Sequence, residues 1–324
     1  MLEEKYDFYS PSNIKIHELD TTIKDHLIVM EHLDSFTKKH SENVANLVGR
    51  ICEYMHCNSQ FTIHCVIAGY LHDIGKLFIP KEITNKPGKL TDEEYEIMKT
   101  HTTLGYQYCM DDLALRPYSD GPWYHHEALN GTGYPRGLRK PDIPYSAQII
   151  RVADEYDAIV TKRQYTTHVN ISQTLKELIQ DALPSSDVIA LDQLKQNERL
   201  GKINPKPLKA LFKVVIDDTL YEISCVMNYV NYIKDQIKRL KTVKKYEHKM
   251  NTTKKAQTKD YYKAGMQLLF EQGENAENYT QVLAEYENAL VIRQDRIDKL
   301  YDEIKIIKKL KVWKKPQHIV AFFD

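Results

Sequence analysis

Leu71-His72-Asp73-Ile74-Gly75-Lys76 sets a histidine and an aspartate side by side in an apolar segment and closes it with a glycine and a lysine. With Ala68, Leu71 and Ile74 around them, the two polar side chains are not surface decoration, because burying such groups is costly unless they have partners. The apolar run from Phe61 to Leu77 predicts a buried helix, ended by Gly75 and then Pro80, with His72 and Asp73 near its C-terminal end. Upstream, His40 opens a stripe of Val44, Leu47, Val48, Ile51 and Met55 at helical steps and so faces inward. Downstream, Thr91 with Asp92, Glu93 and Glu94 starts a helix with an acidic first turn, and that helix carries His101. Next come His125-His126-Glu127 and the loop Asn130 to Leu138, where three glycines and a proline demand a compact turn. A helix from Ala147 to Val160 places Asp154 among Ile149, Ile150, Val152 and Ile159, and helical patterns continue over Leu175 to Leu194 and Pro207 to Val215.

With 324 residues and 42% hydrophobic composition, the chain can bury a substantial core. A formal net charge of +0 provides no global field toward polymeric nucleic acid or anionic membranes, so an anionic ligand has to be held locally. Cys52, Cys57, Cys65, Cys109 and Cys225 form no C-x-x-C pair, which argues against a disulfide framework or a zinc finger and fits a reducing cytoplasm. Neither a secretory h-region nor an apolar run of about 18 residues is present, so no membrane span is expected.

Residues 1–33 read as a helical lead-in, 34–218 as the domain containing the histidines, and 219–324 as a helical extension. In the extension Val226, Val230, Ile233, Ile237 and Leu240 alternate steps of four and three. So do Leu283, Tyr286, Leu290, Arg293, Ile297, Leu300, Ile304 and Ile307, with Arg293 the one polar intruder. Such seams predict helices paired along their length, as a hairpin or a homodimeric coiled coil. The Lys-rich stretch from Lys234 to Lys259 between them reads as a solvated helical face or linker; its aromatic residues are too sparse for nucleic-acid binding.

His40, His72, Asp73, His101, His125, His126 and Asp154 are the candidate metal ligands. Nitrogen and oxygen donors without thiolates argue against a closed zinc site and suit Fe, Mn or another six-coordinate ion. Two such ions roughly 3.5–4 Å apart can hold a hydroxide between them and stabilise an in-line displacement at phosphorus. Lone histidines such as His56, His64 and His168 are left out as packed or surface residues. Lys76 reads either as a helix-end cation complementing the dipole or as a contact to an anionic phosphate.

The ordered series His40-Ser41, His72-Asp73-Ile74-Gly75-Lys76, His101, His125-His126-Glu127, Gly133-Tyr134-Pro135 and Val152-Ala153-Asp154 resembles the HD-GYP family, a branch of the HD-superfamily metal phosphohydrolases. The resemblance runs from about Asp34 to Asp218 and leaves the C-terminal third uncovered. It implies an all-α, HD-type helical bundle with a metal centre of iron or manganese and hydrolysis of cyclic di-GMP to pGpG or GMP. It also implies that the seven residues are the ligands, with Asp73 bridging, and that Lys76 assists at the phosphate. Tyr134 would sit at the substrate, in a loop that also contacts partner proteins.

Three positions depart from the family. Phe36 stands where trinuclear members carry a glutamate, which leaves two metal ions. Arg163 matches the first of two substrate-binding basic residues, but Thr166 replaces the second, and Gln164 replaces a proline. A missing charge-assisted contact is typically worth about 1.5–3 kcal/mol. The expectation is therefore a cytoplasmic cyclic dinucleotide phosphodiesterase; the alternatives are a phosphohydrolase of another nucleotide, or a silent signalling scaffold acting through its helical tail.

Overall fold

A computed structural model describes residues 34–164, 171–183 and 201–311. The lead-in expected over residues 1–33, Thr166 and the helical pattern toward Leu194 lie outside the described residues. Among these every regular element is a helix, as the periodicities predict.

Helix α1 spans Ser35–Tyr54 and starts five residues before His40, because the Asp34 carboxylate accepts hydrogen bonds from the Phe36 and Thr37 amides and caps it. Helix α2, Ser59–Leu71, is capped in the same way by Asn58. It does not continue to Leu77: the α-helix stops at Leu71 and a 3₁₀ turn, Ile74–Phe78, follows. The tightening brings Gly75 against the neighbouring backbone, where a Cβ would run into the His101 carbonyl. His72 and Asp73 therefore occupy the break between two helix types.

Helix α3, Asp92–Lys99, has the full capping box of Thr91 and Glu94, and it ends at Thr100. His101 then opens a helix of its own, α4, His101–Asp111. Helix α5, Asp120–Tyr124, delivers His125 at its C-cap. Helix α6, Tyr145–Gln164, and helix α7, Ile171–Ala182, complete the set before a 48-residue helix, α8, Pro205–Thr252. Helices α9, Ala256–Leu269, and α10, Tyr279–Lys311, end the described chain.

The chain divides into two compact units, one running to Ile216 and resuming at Ile307, the other Asp217–Ile306. In the first, Val44, Leu47, Val48 and Ile51 of α1 pack with Ala68 of α2, Ile149 and Ile150 of α6, Leu175 of α7 and Leu211 of α8. Each such Val, Leu or Ile side chain contributes about 1.5–3 kcal/mol when fully buried.

In the second unit the two heptad-like seams meet inside one chain. Ile233, Ile237, Leu240 and Val243 of α8 pack with Met266, Tyr279 and Leu283, and Ile223 and Val230 pack with Ile297, Leu300 and Ile304 of α10. This is the hairpin form of the expected pairing. Arg293 is accommodated over the Tyr229 ring, 5.2 Å from its centroid.

Candidate metal centre

The seven candidate ligands come from five parts of the helical frame: His40 from α1, His72 and Asp73 from the break after α2, His101 from the start of α4, His125 and His126 from the end of α5, and Asp154 from α6. All seven converge. The ligand atoms of His40, His72 and Asp73 lie within 4.8 Å of one another, as do those of His101, His125 and His126 and those of His72, His125 and Asp154.

Asp73 stands between two histidine pairs. Its Oδ2 faces His72 Nε2 at 3.3 Å and His40 Nε2 at 3.8 Å, while its Oδ1 faces His101 Nε2 at 3.4 Å and His125 Nε2 at 3.9 Å. That places one carboxylate oxygen toward each pair, the disposition a bridging ligand needs.

The tautomers follow from what holds each ring. His72 Nδ1 donates to the Gly69 carbonyl at 2.7 Å, His101 Nδ1 to Met98 at 2.7 Å, and His125 Nδ1 to Gly121 at 2.9 Å. With the proton fixed on Nδ1, each Nε2 turns a bare lone pair inward, the orientation that outer hydrogen bonds impose on metal-binding histidines. His72 Nε2 is buried and has no hydrogen-bond partner, and a divalent cation is the partner this donor set fits.

The electrostatics agree. Burial pushes His101 and His125 down, and takes His126 to about 3, so these rings are neutral. Burial alone would raise Asp73 and Asp154. The Lys76 ammonium holds Asp73 well below the usual carboxylate range, and the hydrogen bond from His40 does the same for Asp154. Neutral imidazoles around ionised carboxylates make a cation site. His40 differs: burial opposes its charge, but hydrogen bonds to Asp154 and Asp157 raise it to about 10.

Two site residues were given no role by the sequence reading. Asp157 is fully buried and accepts from His40 Nδ1 at 2.7 Å and from the Asn43 amide at 3.1 Å, which orients His40. Its signal was available, since Asp154-x-x-Asp157 puts both carboxylates on one helical face. Glu127, also buried, accepts from the Arg136 and Leu138 amides at 2.8 Å each and ties down the glycine-rich loop. Within that loop Tyr134 stacks on His126, ring centroids 4.6 Å apart, and its amide donates to the His126 carbonyl.

Lys76 Nζ lies 2.6 Å from Asp73 Oδ2, so it belongs to the site and is not a solvated helix-end charge. A pocket of about 890 Å³ opens over the cluster, lined by His40, Asp73, Lys76, His126, Tyr134 and Asp154 among others. Phe36 also lines it, with no atom that could ligate. Arg163 is on the last turn of α6, but its side chain, like Thr166, lies outside the described residues.

The HD domain family matches residues 26–187. A cyclic di-GMP phosphodiesterase of Thermotoga maritima is 40% identical over 153 residues, covering 47% of this chain and 42% of the relative. The cyclic di-GMP phosphodiesterase PdeB of Borreliella burgdorferi is 31% identical over 214 residues, covering 64% of this chain and 54% of the relative. A 3'3'-cGAMP-specific phosphodiesterase of Vibrio cholerae is 32% identical over 147 residues, covering 45% of this chain and 34% of the relative. The chain thus spans about half or less of the length of these relatives.

Proposed function

We propose that this chain, which belongs to the HD domain family, is a metal-dependent phosphodiesterase acting on a cyclic dinucleotide, with cyclic di-GMP as substrate and pGpG or GMP as product. The carrying observation is the Asp73 carboxylate, one oxygen toward His40 and His72, the other toward His101 and His125, with the Lys76 ammonium beside it. In this reading His40, His72, Asp73, His101, His125, His126 and Asp154 hold two divalent ions, Fe or Mn, with Asp73 shared. Bound there, the ions would supply a Lewis acid for the phosphate oxygens and acidify a water.

The chain's own residues do the rest. Lys76 balances the Asp73 charge and presents its remaining protons to a substrate phosphate. Arg163 and Tyr134 are the further substrate contacts; burial holds the Tyr134 phenol in its neutral form, as a hydrogen-bond donor. Asp157 keeps His40 turned inward, and Glu127 keeps the Tyr134 loop closed on His126. The domain carrying this chemistry is residues 34–218, with the lead-in 1–33 and the extension 219–324 around it. Its cysteines are all free, which supports a cytoplasmic setting. The extension is read as a helical hairpin, with a homodimer through the C-terminal helices, and the Gly133-Tyr134-Pro135 loop as a partner contact.

The test is turnover of cyclic di-GMP by the full chain loaded with Mn or Fe. No linear product from protein shown by elemental analysis to hold two metals defeats the substrate assignment. Thr166, where a second basic residue would stand, favours a second reading in which a different nucleotide is preferred, and a panel of cyclic and linear dinucleotides separates the two. A metal-loaded protein inert toward every phosphodiester would instead indicate a scaffold.

A further inference from the structure

The sequence lacks a basic residue at Thr166, and three described lysine and arginine side chains line the pocket: Lys76, Arg151 and Lys202. Lys76 stands beside Asp73 at 2.6 Å and serves the phosphate at the ligand cluster. Arg151 is engaged within the protein: Nη1 donates to the Glu127 carbonyl at 3.1 Å, Nη2 to Glu155 at 2.6 Å, and Nε is buried. Lys202 is different. Its side chain is 51% exposed and its ammonium pairs with Asp181, itself 35% exposed, at 2.8 Å. A solvent-exposed pair of this kind is held only weakly against water and can exchange its carboxylate for a phosphate.

The backbone fixes where Lys202 stands. Its amide donates to the Asp181 carbonyl at 2.6 Å, and its carbonyl accepts from the Leu129 amide at 2.9 Å, three residues after His126. Gly201 makes this approach feasible, since a Cβ there would run into the backbone of Asp181 and Ala182 at the end of α7. On the other side the buried Asn204 amide donates to Gln148 of α6 at 2.8 Å. Lys202 is therefore an exposed cation on a pinned backbone, at the wall of the pocket that holds the ligand cluster.

We propose that Lys202 binds the second phosphate of a two-phosphate substrate while the other phosphate lies at Asp73 and Lys76, supplying the cationic contact absent at Thr166. This rests on the phosphodiesterase reading above. It gives the pocket a means of preferring dinucleotides with two phosphates over simple diesters.

Equilibrium binding of cyclic di-GMP, presented as a hydrolysis-resistant phosphorothioate analogue, to the Mn-loaded full chain, measured by calorimetry, tests it with K202Q and K202R. The expected result is a dissociation constant raised roughly tenfold to a hundredfold in K202Q, little changed in K202R, with the melting temperature of both kept. Turnover of bis(p-nitrophenyl) phosphate, which has one phosphate, is expected to be the same in K202Q and wild type. Unchanged cyclic di-GMP affinity in K202Q overturns the role of Lys202 while leaving the phosphodiesterase reading intact. Equal loss on the one-phosphate diester also overturns it, by showing a general effect on the site. Wild-type protein that turns over the diester but does not bind cyclic di-GMP overturns both the substrate assignment and the Lys202 contact.

Discussion

His101 Nε2 and His125 Nε2 face each other 3.2 Å apart, while both Nδ1 protons are donated to backbone carbonyls. Two lone pairs at this separation repel, and a divalent cation held by both rings would relieve the repulsion. Metal loading should therefore stabilise the fold. Adding Mn to chelator-treated protein should raise the melting temperature by several degrees, since ligand at about 100-fold over Kd contributes about 2.7 kcal/mol. A melting curve indifferent to Mn and Fe would contradict this.

Asp73→Ala removes the carboxylate common to both histidine pairs. Metal content by elemental analysis should fall from two ions to one or none, and turnover should be lost. Retention of both ions would show that Asp73 is not shared between them.

Asp157 tests the outer shell separately. Asp157→Asn keeps the side-chain size but weakens the 2.7 Å acceptor for His40 Nδ1. Metal affinity or activity should drop about 10–100-fold, the usual cost of losing such a partner, with the fold retained by circular dichroism. Wild-type metal affinity in the variant would reduce Asp157 to a packing residue.

Glu127→Ala should destabilise the fold by about 3 kcal/mol in urea, because the Arg136 and Leu138 amides lose a charged acceptor. Tyr134 should then leave His126, and activity should fall by more than the stability change accounts for. A variant as stable as wild type would show that water replaces the carboxylate without cost.

A pH effect is expected away from the metal centre. His64 Nε2 meets Asp120 Oδ2 at 3.0 Å, and Ser146 donates to the same oxygen. The Asp120 hydrogen bond raises the His64 pKa above its ordinary 6.5. A raised folded-state value means stability that is fully present below pH 6.5 and is lost as pH rises through the folded value. Urea midpoints from pH 6 to 8 should decline in wild type more than in His64→Gln, and parallel declines would remove His64 as the cause.

The sequence by itself determined the helical class, the seven candidate ligands and the paired seams of the tail, because inward-facing polar residues on apolar stripes and heptad steps are local patterns. It also placed Phe36 and Thr166 as departures, since these depend only on motif order. What it could not contain was register between elements. The helix through His72 and Asp73 breaks at Leu71 because Gly75 packs on the His101 backbone, and His101 opens its own helix. The inward lone pairs of His72, His101 and His125 depend on carbonyls that only tertiary packing presents. Asp157 has meaning only once α6 lies against α1, and Lys202, far along the chain, reaches the pocket only through its backbone bonds to Asp181 and Leu129. Periodicity specifies which face of a helix is buried; which residues meet across that face is settled by long-range contacts that a linear pattern does not encode.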